Sequence, residues 1–228
     1  MGAVPRVAHI FALAGVLSVS TCVCRSESLP SREKTLVVFL TSDFSVAPAA
    51  SSEIKQELGH IFQAAAIHVK WQDPATDRSD SENDYAAVVR LRGSCRPPEP
   101  GPRFEHSISG PFTLASSAVA NGVILPFGDI DCAALNSFLG PSLWKESDQT
   151  REFIYARAVA RLIAHELYHV IGQTHDHARG GVAEPSFTVA ELLSDHFEFT
   201  EPALSALHAS PDVAEYSGRI DSDDASGK

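Results

Sequence analysis

Hydrophobic residues early in the chain recur with two different periods. Residues 35–44 form an almost continuous apolar run rich in β-branched and aromatic side chains, typical of a strand buried on both faces. Apolar positions in residues 53–66 recur every three or four residues, which predicts an amphipathic helix starting after Ser51 and Ser52. Residues 67–71 form another short apolar run. This strand, helix and strand order predicts a partly parallel sheet, because consecutive parallel strands need a crossover connection.

Two further strands are predicted in the middle of the chain. Residues 85–91 are apolar enough to form one of them. Residues 122–125 predict a strand at the edge of the sheet, because Pro126 cannot donate a ladder hydrogen bond. An edge strand can bind an extended peptide through its backbone, although an ordinary sheet edge explains the pattern equally well.

The second half of the chain is predicted to be mainly helical. Residues 151–171 have helical spacing and follow two capping candidates, Asp148 and Thr150. Residues 188–194 and 202–209 predict a short helix and a terminal helix. Strands followed by helices indicate the α+β class. Three arginines are expected on the solvent-exposed side of the long helix: Arg151, Arg157 and Arg161.

The N-terminus has the layout of a secretory signal peptide. Arg6 precedes an apolar run at residues 7–19, and small residues follow this run. The run is too short for a comfortable membrane span. We therefore expect an exported protein, either secreted or periplasmic. A form lipid-anchored at Cys22 is an alternative, but the residues before Cys22 are a poor match to a lipoprotein site.

Length and charge limit the remaining organisation. A chain of 228 residues with 44% hydrophobic residues suffices for one well-buried domain. Its net charge of −11 opposes binding to nucleic acid and to anionic membranes. We expect a signal peptide (1–24), a linker (25–34), one folded domain (35–210) and a flexible acidic tail (211–228).

Four cysteines bear on the compartment. Cys22 and Cys24 lie in or beside the leader, so the mature domain keeps Cys95 and Cys132. Two cysteines in an exported domain most simply form one disulfide bond. The alternative is that the Cys95 thiolate masks a metal, but such a switch belongs in a segment ahead of the domain.

The most specific pattern lies in the long predicted helix. His165, Glu166 and His169 form H-E-x-x-H, and Gly172 and His175 extend it to H-E-x-x-H-x-x-G-x-x-H. Residues four apart share one helix face, so His165 and His169 can bind one Zn²⁺ beside Glu166. Gly172 permits a left-handed turn that returns His175 as a third ligand. Chance would produce the extended pattern in fewer than about one in ten thousand such chains.

These residues resemble the signature of the metzincin clan of zinc endopeptidases. The resemblance implies a zincin-like fold, with a twisted mixed β-sheet, an active-site helix and a small C-terminal subdomain. It also implies that His165, His169 and His175 bind Zn²⁺ and that Glu166 is the general base. The matching motif covers only some dozen residues of the chain.

The chain departs from this clan at one point. Metzincins have a methionine in a turn beneath the zinc, but the only methionine of this chain is Met1. Leu192 or Leu193 occupies the corresponding position. A leucine can also provide an apolar floor, so the departure does not exclude catalysis.

Two other residues compete for the role of third ligand. Glu191, Ser194 and Asp195 form E-x-x-S-D, which resembles the gluzincin pattern in which the glutamate is the third ligand. Thr188 and Glu191 can instead form a capping box, which would turn Glu191 back to the start of its helix. His177 is a further candidate, two residues beyond the motif.

Together these residues predict a secreted zinc metalloendopeptidase, a hydrolase. Zinc would lower the pKa of a bound water, and Glu166 would take its proton and return it to the leaving amine. We expect a monomer that binds a peptide or protein substrate, with no nucleic acid and no membrane span in the mature chain. The alternatives are a gluzincin-like peptidase using Glu191 and a non-catalytic secreted zinc-binding protein. The non-catalytic alternative gives Glu166 no role, because a structural zinc site needs no base.

Overall fold

The computed structural model describes most of the expected folded domain. The expected signal peptide, most of the linker and the acidic tail lie outside the described residues. None of the described helices is both long enough and apolar enough to cross a membrane. The described residues are 33–73, 83–97, 99 and 113–209.

The centre of the fold is a five-stranded mixed sheet with the order β2-β1-β3-β5-β4. The first four strands in this order are parallel to one another, and β4 is antiparallel to β5. This arrangement confirms the partly parallel sheet that the early strand, helix and strand order predicts. The strands are β1 (Lys34–Ser42), β2 (Ile67–Gln72), β3 (Tyr85–Arg92), β4 (Ala115–Ala120) and β5 (Val123–Asp131).

Five α-helices surround this sheet in the described part of the chain. Four of them match predicted helices, but α2 has no sequence prediction, and it contains Gly140 and Pro141, which are both unfavourable in a helix interior. Asp131 caps α2, because its side chain accepts a hydrogen bond from the backbone N–H of Ala134 at 2.9 Å. The helices are α1 (Pro48–Gln63), α2 (Cys132–Leu143), α3 (Asp148–Gly172), α4 (Val189–Leu192) and α5 (Glu201–Ala209).

β4 is the edge strand of the described sheet beside the long helix, and β5, which includes residues 123–125, lies between β3 and β4. The prediction that residues 122–125 form an edge strand is therefore wrong for β5 as a whole. The pairing of β5 with β3 begins only at Phe127, so among the described residues the start of β5, up to Pro126, has β4 as its one neighbour, and the predicted edge position holds for this stretch. The proline thus marks an open side of β5, as its missing N–H requires.

The hydrophobic core lies between the sheet and the helices α1 and α3. Leu36 and Val38 lie on one face of β1 and are fully buried, and Val37 on the other face is buried as well. The helix α3 is buried on nearly every side, because it packs against α1, α5 and the strands β4 and β5. The core residues of α1 and α3 include Ile54, Leu58, Phe62, Val159, Ile163 and Leu167. The resulting α+β architecture, a mixed sheet with one long central helix and short C-terminal helices, confirms the predicted fold class.

Cys95 and Cys132 form the predicted disulfide bond, with their Cα atoms 4.9 Å apart. The bond connects the end of β3 to the first residue of α2 and closes a loop with a sequence separation of 37 residues. Closing a loop of this length removes about 4 kcal/mol of conformational freedom from the unfolded chain. Cys95 therefore stabilises the domain and has no free thiolate with which to mask a metal.

The prediction that the arginines of α3 are exposed is wrong for two of the three. Arg151 and Arg161 are buried, and Arg157 is partly buried. Arg151 donates to the carbonyl oxygen of Glu146 at 2.9 Å. For the other two arginines the reason is a carboxylate on the neighbouring helix: Glu57 of α1 accepts hydrogen bonds from the Nε of Arg161 at 2.8 Å and from that of Arg157 at 3.2 Å. Arg161 also donates from Nη1 to the carbonyl oxygen of Leu192 at 2.7 Å. A buried guanidinium is tolerated here because charge and hydrogen bonds compensate its burial.

Candidate metal centre

The motif lies at the C-terminal end of α3, and this helix ends one residue later than the sequence predicts. Gly172 is still helical, and the left-handed residue is the next one, Gln173, with a φ of 45°. The glycine nevertheless has a role, because a Cβ at position 172 would lie 3.1 Å from Cγ2 of Thr174. Because Gly172 has no Cβ, the chain can fold closely back over the last helical turn. Thr174 then lies beside His169.

The imidazoles of His165 and His169 converge from successive turns of α3. The Nδ1 of His165 lies 2.8 Å from the carbonyl oxygen of Val182, and the Nδ1 of His169 lies 2.7 Å from that of Thr174. Their two Nε2 atoms face each other at 3.2 Å. Gly181 precedes Val182, and a Cβ at this position would collide with the carbonyl oxygen of Glu198. The glycine therefore permits the backbone path that places Val182 beside His165. Both rings are thus held in one orientation by backbone acceptors.

These hydrogen bonds determine which ring nitrogens are free to bind a cation. A carbonyl oxygen can only accept, so each Nδ1 carries the proton and each Nε2 of a neutral ring presents a lone pair. Burial lowers the pKa of His165 to about 4 and also lowers the pKa of His169, which keeps both rings neutral. Two lone pairs facing each other repel unless a cation lies between them. Tetrahedral zinc places two histidine nitrogens about 3.3 Å apart, so the pair fits Zn²⁺.

His177 is the third histidine of this cluster. Its ring stacks on His165 with a centroid distance of 5.4 Å and meets the ring of His169 edge-on at 4.8 Å. One ligand nitrogen from each of the three residues lies within 4.8 Å of the other two. His177 is exposed, whereas His169 is buried and His165 partly buried. The cluster is therefore open to solvent on the side of His177.

His175, the third ligand expected from the motif, does not belong to this cluster in the structure. The hydroxyl of Thr174 accepts a hydrogen bond from the backbone N–H of Asp176 at 3.0 Å, and His175 lies between these two residues with an exposed side chain. Because the left-handed residue is Gln173, the chain makes this local turn before it approaches the two imidazoles. His177 is the histidine that reaches them.

Glu191, the third ligand of the gluzincin alternative, is engaged elsewhere. Its N–H donates to the Thr188 hydroxyl at 3.2 Å, and its carboxylate accepts from the Thr188 backbone N–H at 2.6 Å, which completes the capping box of α4. The hydrogen bond from this backbone N–H lowers the pKa of Glu191. The geometry therefore gives Glu191 a local structural role. Of the two leucines expected in place of the metzincin methionine, Leu192 is fully buried and Leu193 is partly buried.

Glu166 lies beside the histidine cluster and is only 4% exposed. Its Oε2 accepts a hydrogen bond of 2.7 Å from the hydroxyl of Ser117 on β4. Burial raises the pKa of Glu166 to about 7, against the opposing effect of the Ser117 hydrogen bond. Sequence reasoning did not find Ser117, because it is 49 residues away from Glu166 and lies in a stretch without a clear hydrophobic period.

A cavity of about 390 Å³ opens beside the cluster. His165 and Glu166 form part of its wall, so a molecule in the cavity would contact both the candidate metal site and the carboxylate. Most of the other lining side chains are apolar, and none of them stands out in the sequence. The large apolar ones are Leu114, Phe138, Leu162 and Phe187.

Comparisons with known proteins give limited information. No protein-family model matches the chain, and no curated protein matches it. Among solved structures, the chain is similar to archaemetzincin from Methanopyrus kandleri, with 16% identity and a TM-score of 0.45, over 79% of this chain and 97% of that one. Neither the identity nor the score supports the transfer of an activity from that protein to this chain.

Proposed function

We propose that this chain is a zinc-dependent peptidase in which His165 and His169 bind Zn²⁺ and Glu166 is the general base. The observation that carries this proposal is the pair of facing Nε2 atoms 3.2 Å apart, with a buried carboxylate on the residue adjacent to His165. A structural zinc site has four protein ligands and no use for a base. A catalytic site has three protein ligands and keeps one position open.

The roles of the side chains follow from their positions. When bound, zinc would lower the pKa of a water molecule to near 7 and polarise the scissile carbonyl group. Ser117 already occupies Oε2 of Glu166, so Oε1 is the oxygen that would take the proton of this water. The water oxygen would attack the scissile carbonyl carbon, and Glu166 would transfer the proton to the amine nitrogen as the C–N bond breaks.

Two features beside the cluster favour a peptide substrate. The strand β4 is the edge strand of the sheet that the described residues form, so its outer side could offer backbone groups to an extended chain. The cavity beside Glu166 has apolar walls that include Leu114, Phe138 and Phe187. Such a cavity suits an apolar side chain adjacent to the scissile bond. We therefore propose an extended peptide with an apolar residue at that position as the substrate.

We also propose that the protein is exported. The buried disulfide between Cys95 and Cys132 is consistent with an oxidising compartment. The apolar run at residues 7–19, which lies outside the described residues, has the layout of a leader. The mature protein would act as a monomer on peptide substrates, and its net charge of −11 opposes binding to nucleic acid.

Metal analysis combined with a peptidase assay tests this function. We expect the purified domain to contain about one zinc ion per chain and to cleave peptides from a mixed library. Chelation should remove both the metal and the activity, and added zinc should restore both. Bound zinc without cleavage of any peptide would indicate a non-catalytic zinc-binding protein. A domain that binds no metal would refute both zinc hypotheses.

The identity of the third ligand yields a separate prediction. We propose His177, since its ring contacts those of His165 and His169. His177→Ala should weaken zinc binding by more than about 100-fold, because loss of a ligand exceeds the 10- to 100-fold cost of losing a supporting residue. His175→Ala, a matched change two residues away, should weaken it less than about 3-fold, since an exposed residue outside the cluster contributes little.

Competition with a chromophoric chelator measures both affinities under identical conditions. The reverse ranking, with His175→Ala as the damaging change, would make His175 the ligand, as the motif itself implies. Equal and small effects would mean that neither residue binds the metal.

A further inference from the structure

We propose that Ser117 and Gly128, a cross-strand pair on β4 and β5, position the carboxylate of Glu166 for catalysis. Ser117 holds one carboxylate oxygen, and Gly128 keeps larger side chains away from the glutamate. This inference rests on the proposed function, because it assigns both residues to the general base of that function. Both act through Glu166 and are therefore positioning residues.

The contact made by Ser117 is specific in its geometry. The Ser117 side chain is partly buried, and its Oγ lies 2.7 Å from Oε2 of Glu166 and 3.3 Å from the carbonyl oxygen of the same residue. A hydroxyl has one proton, and the shorter distance assigns it to the carboxylate. Through this hydrogen bond β4 contacts the side chain of Glu166 on α3.

Gly128 makes the complementary contribution from the neighbouring strand. It is the direct register partner of Ser117 in the antiparallel pair of β4 and β5. A Cβ at position 128 would lie 3.4 Å from Cβ and 3.9 Å from Cγ of Glu166. Residue 128 therefore faces Glu166. A Cβ would be in ordinary van der Waals contact there, so a side chain larger than that of alanine is needed to crowd the glutamate. The Ser117 hydroxyl and Gly128 thus lie opposite each other on two adjacent strands.

This arrangement restricts the motion of the base. A glutamate side chain has three rotatable bonds, and its carboxylate must lie within hydrogen-bond distance of the proton that it abstracts. Fixing Oε2 on Ser117 limits the positions of Oε1, the oxygen proposed to take the proton. Small displacements of a catalytic group reduce turnover strongly. The simpler interpretation is that Ser117 only satisfies a buried carboxylate, which would affect stability but not turnover.

A pair of isosteric replacements separates these interpretations. Thr and Val have the same shape and both favour strands, but only Thr keeps the hydroxyl. Ser117→Thr should retain kcat within about 3-fold, and Ser117→Val should lower kcat about 10- to 100-fold, as expected for loss of a hydrogen bond to a charged group. KM should stay within about 2-fold in both variants, and so should zinc affinity in chelator competition. Gly128→Val, which keeps the hydroxyl but fills the space, should also lower kcat.

Several outcomes would overturn the inference. Equal kcat in the Thr and Val variants would show that the hydroxyl is unimportant, and a loss confined to KM or zinc affinity would assign it another role. Crystal structures of the metal-free Thr and Val variants provide a readout that needs no activity. The Glu166 carboxylate should keep its position in the Thr variant and rotate away in the Val variant. If the wild type proves inactive, the proposed function fails, whereas an unmoved carboxylate refutes the role of Ser117.

Discussion

Replacing Glu166 by Gln is expected to abolish peptidase turnover while zinc binding persists. Glutamine has the shape of glutamate, and its amide oxygen can still accept the hydrogen bond of Ser117, but the side chain cannot take a proton. The loss of a general base that also acts as the acid should lower kcat at least about 1,000-fold, within the range for such catalysis. The histidine ligands are unchanged, so zinc affinity should stay within about 3-fold.

Kinetics on a fluorogenic peptide and chelator competition measure the two quantities in the same preparation. Glu166→Asp is the matched control, because it keeps a carboxylate but shortens the reach to Ser117, which lies 2.7 Å away in the native protein. Its kcat should fall between those of the wild type and the Gln variant. Undiminished turnover in the Gln variant would remove Glu166 from the mechanism. Loss of zinc from this variant would instead indicate a structural role at the metal site.

Replacing Glu57 by Ala is expected to cause a large loss of stability. The carboxylate is buried between α1 and α3, and it bonds Arg161, which is only 1% exposed. Its removal leaves a buried guanidinium without its hydrogen-bonded counter-charge, which costs about 3–5 kcal/mol. Arg161 also holds the backbone at Leu192, so the segment that leads to the C-terminal helix should loosen as well. Urea denaturation of the wild type and the variant measures the change.

Two further variants make this prediction specific. Glu53→Ala changes a partly exposed glutamate one turn earlier on α1, and it should cost less than about 1 kcal/mol. Replacing Glu57 by Leu and Arg161 by Met together removes both buried charges, and this double variant should recover part of the stability. A Glu57→Ala variant as stable as Glu53→Ala would show that the ion pair contributes nothing. A double variant less stable than Glu57→Ala would contradict the proposed cause.

The features that could be predicted from the sequence are those that depend on neighbouring residues in the chain. Helical spacing places His165 and His169 on one face, and the structure has their Nε2 atoms 3.2 Å apart. The strands and helices with clear hydrophobic periods occur where the pattern predicts them, because burial on one face imposes that period. The pairing of Cys95 with Cys132 follows from counting alone, since only these two cysteines remain in the predicted mature domain.

The features that were missed depend on packing between distant segments. Ser117 reaches Glu166 only because β4 pairs with β5 beside the helix end, and no local pattern records this contact. The burial of Arg161 depends in the same way on Glu57, which is 104 residues away in the sequence. A charged residue on a helix is predicted to be exposed unless its partner is known. Such contacts are decided by tertiary packing.

The sequence by itself thus determined the pair of facing histidines and the adjacent carboxylate, because the rise and turn of an α-helix are the same in any surroundings. Only the tertiary structure decided that His177 rather than His175 joins the cluster and that Ser117 and Gly128 lie against Glu166. The path of a chain after a helix depends on backbone torsions such as the left-handed conformation of Gln173 and on contacts such as that of His169 with Thr174. Those contacts form only when the sheet, the long helix and the following segment pack together.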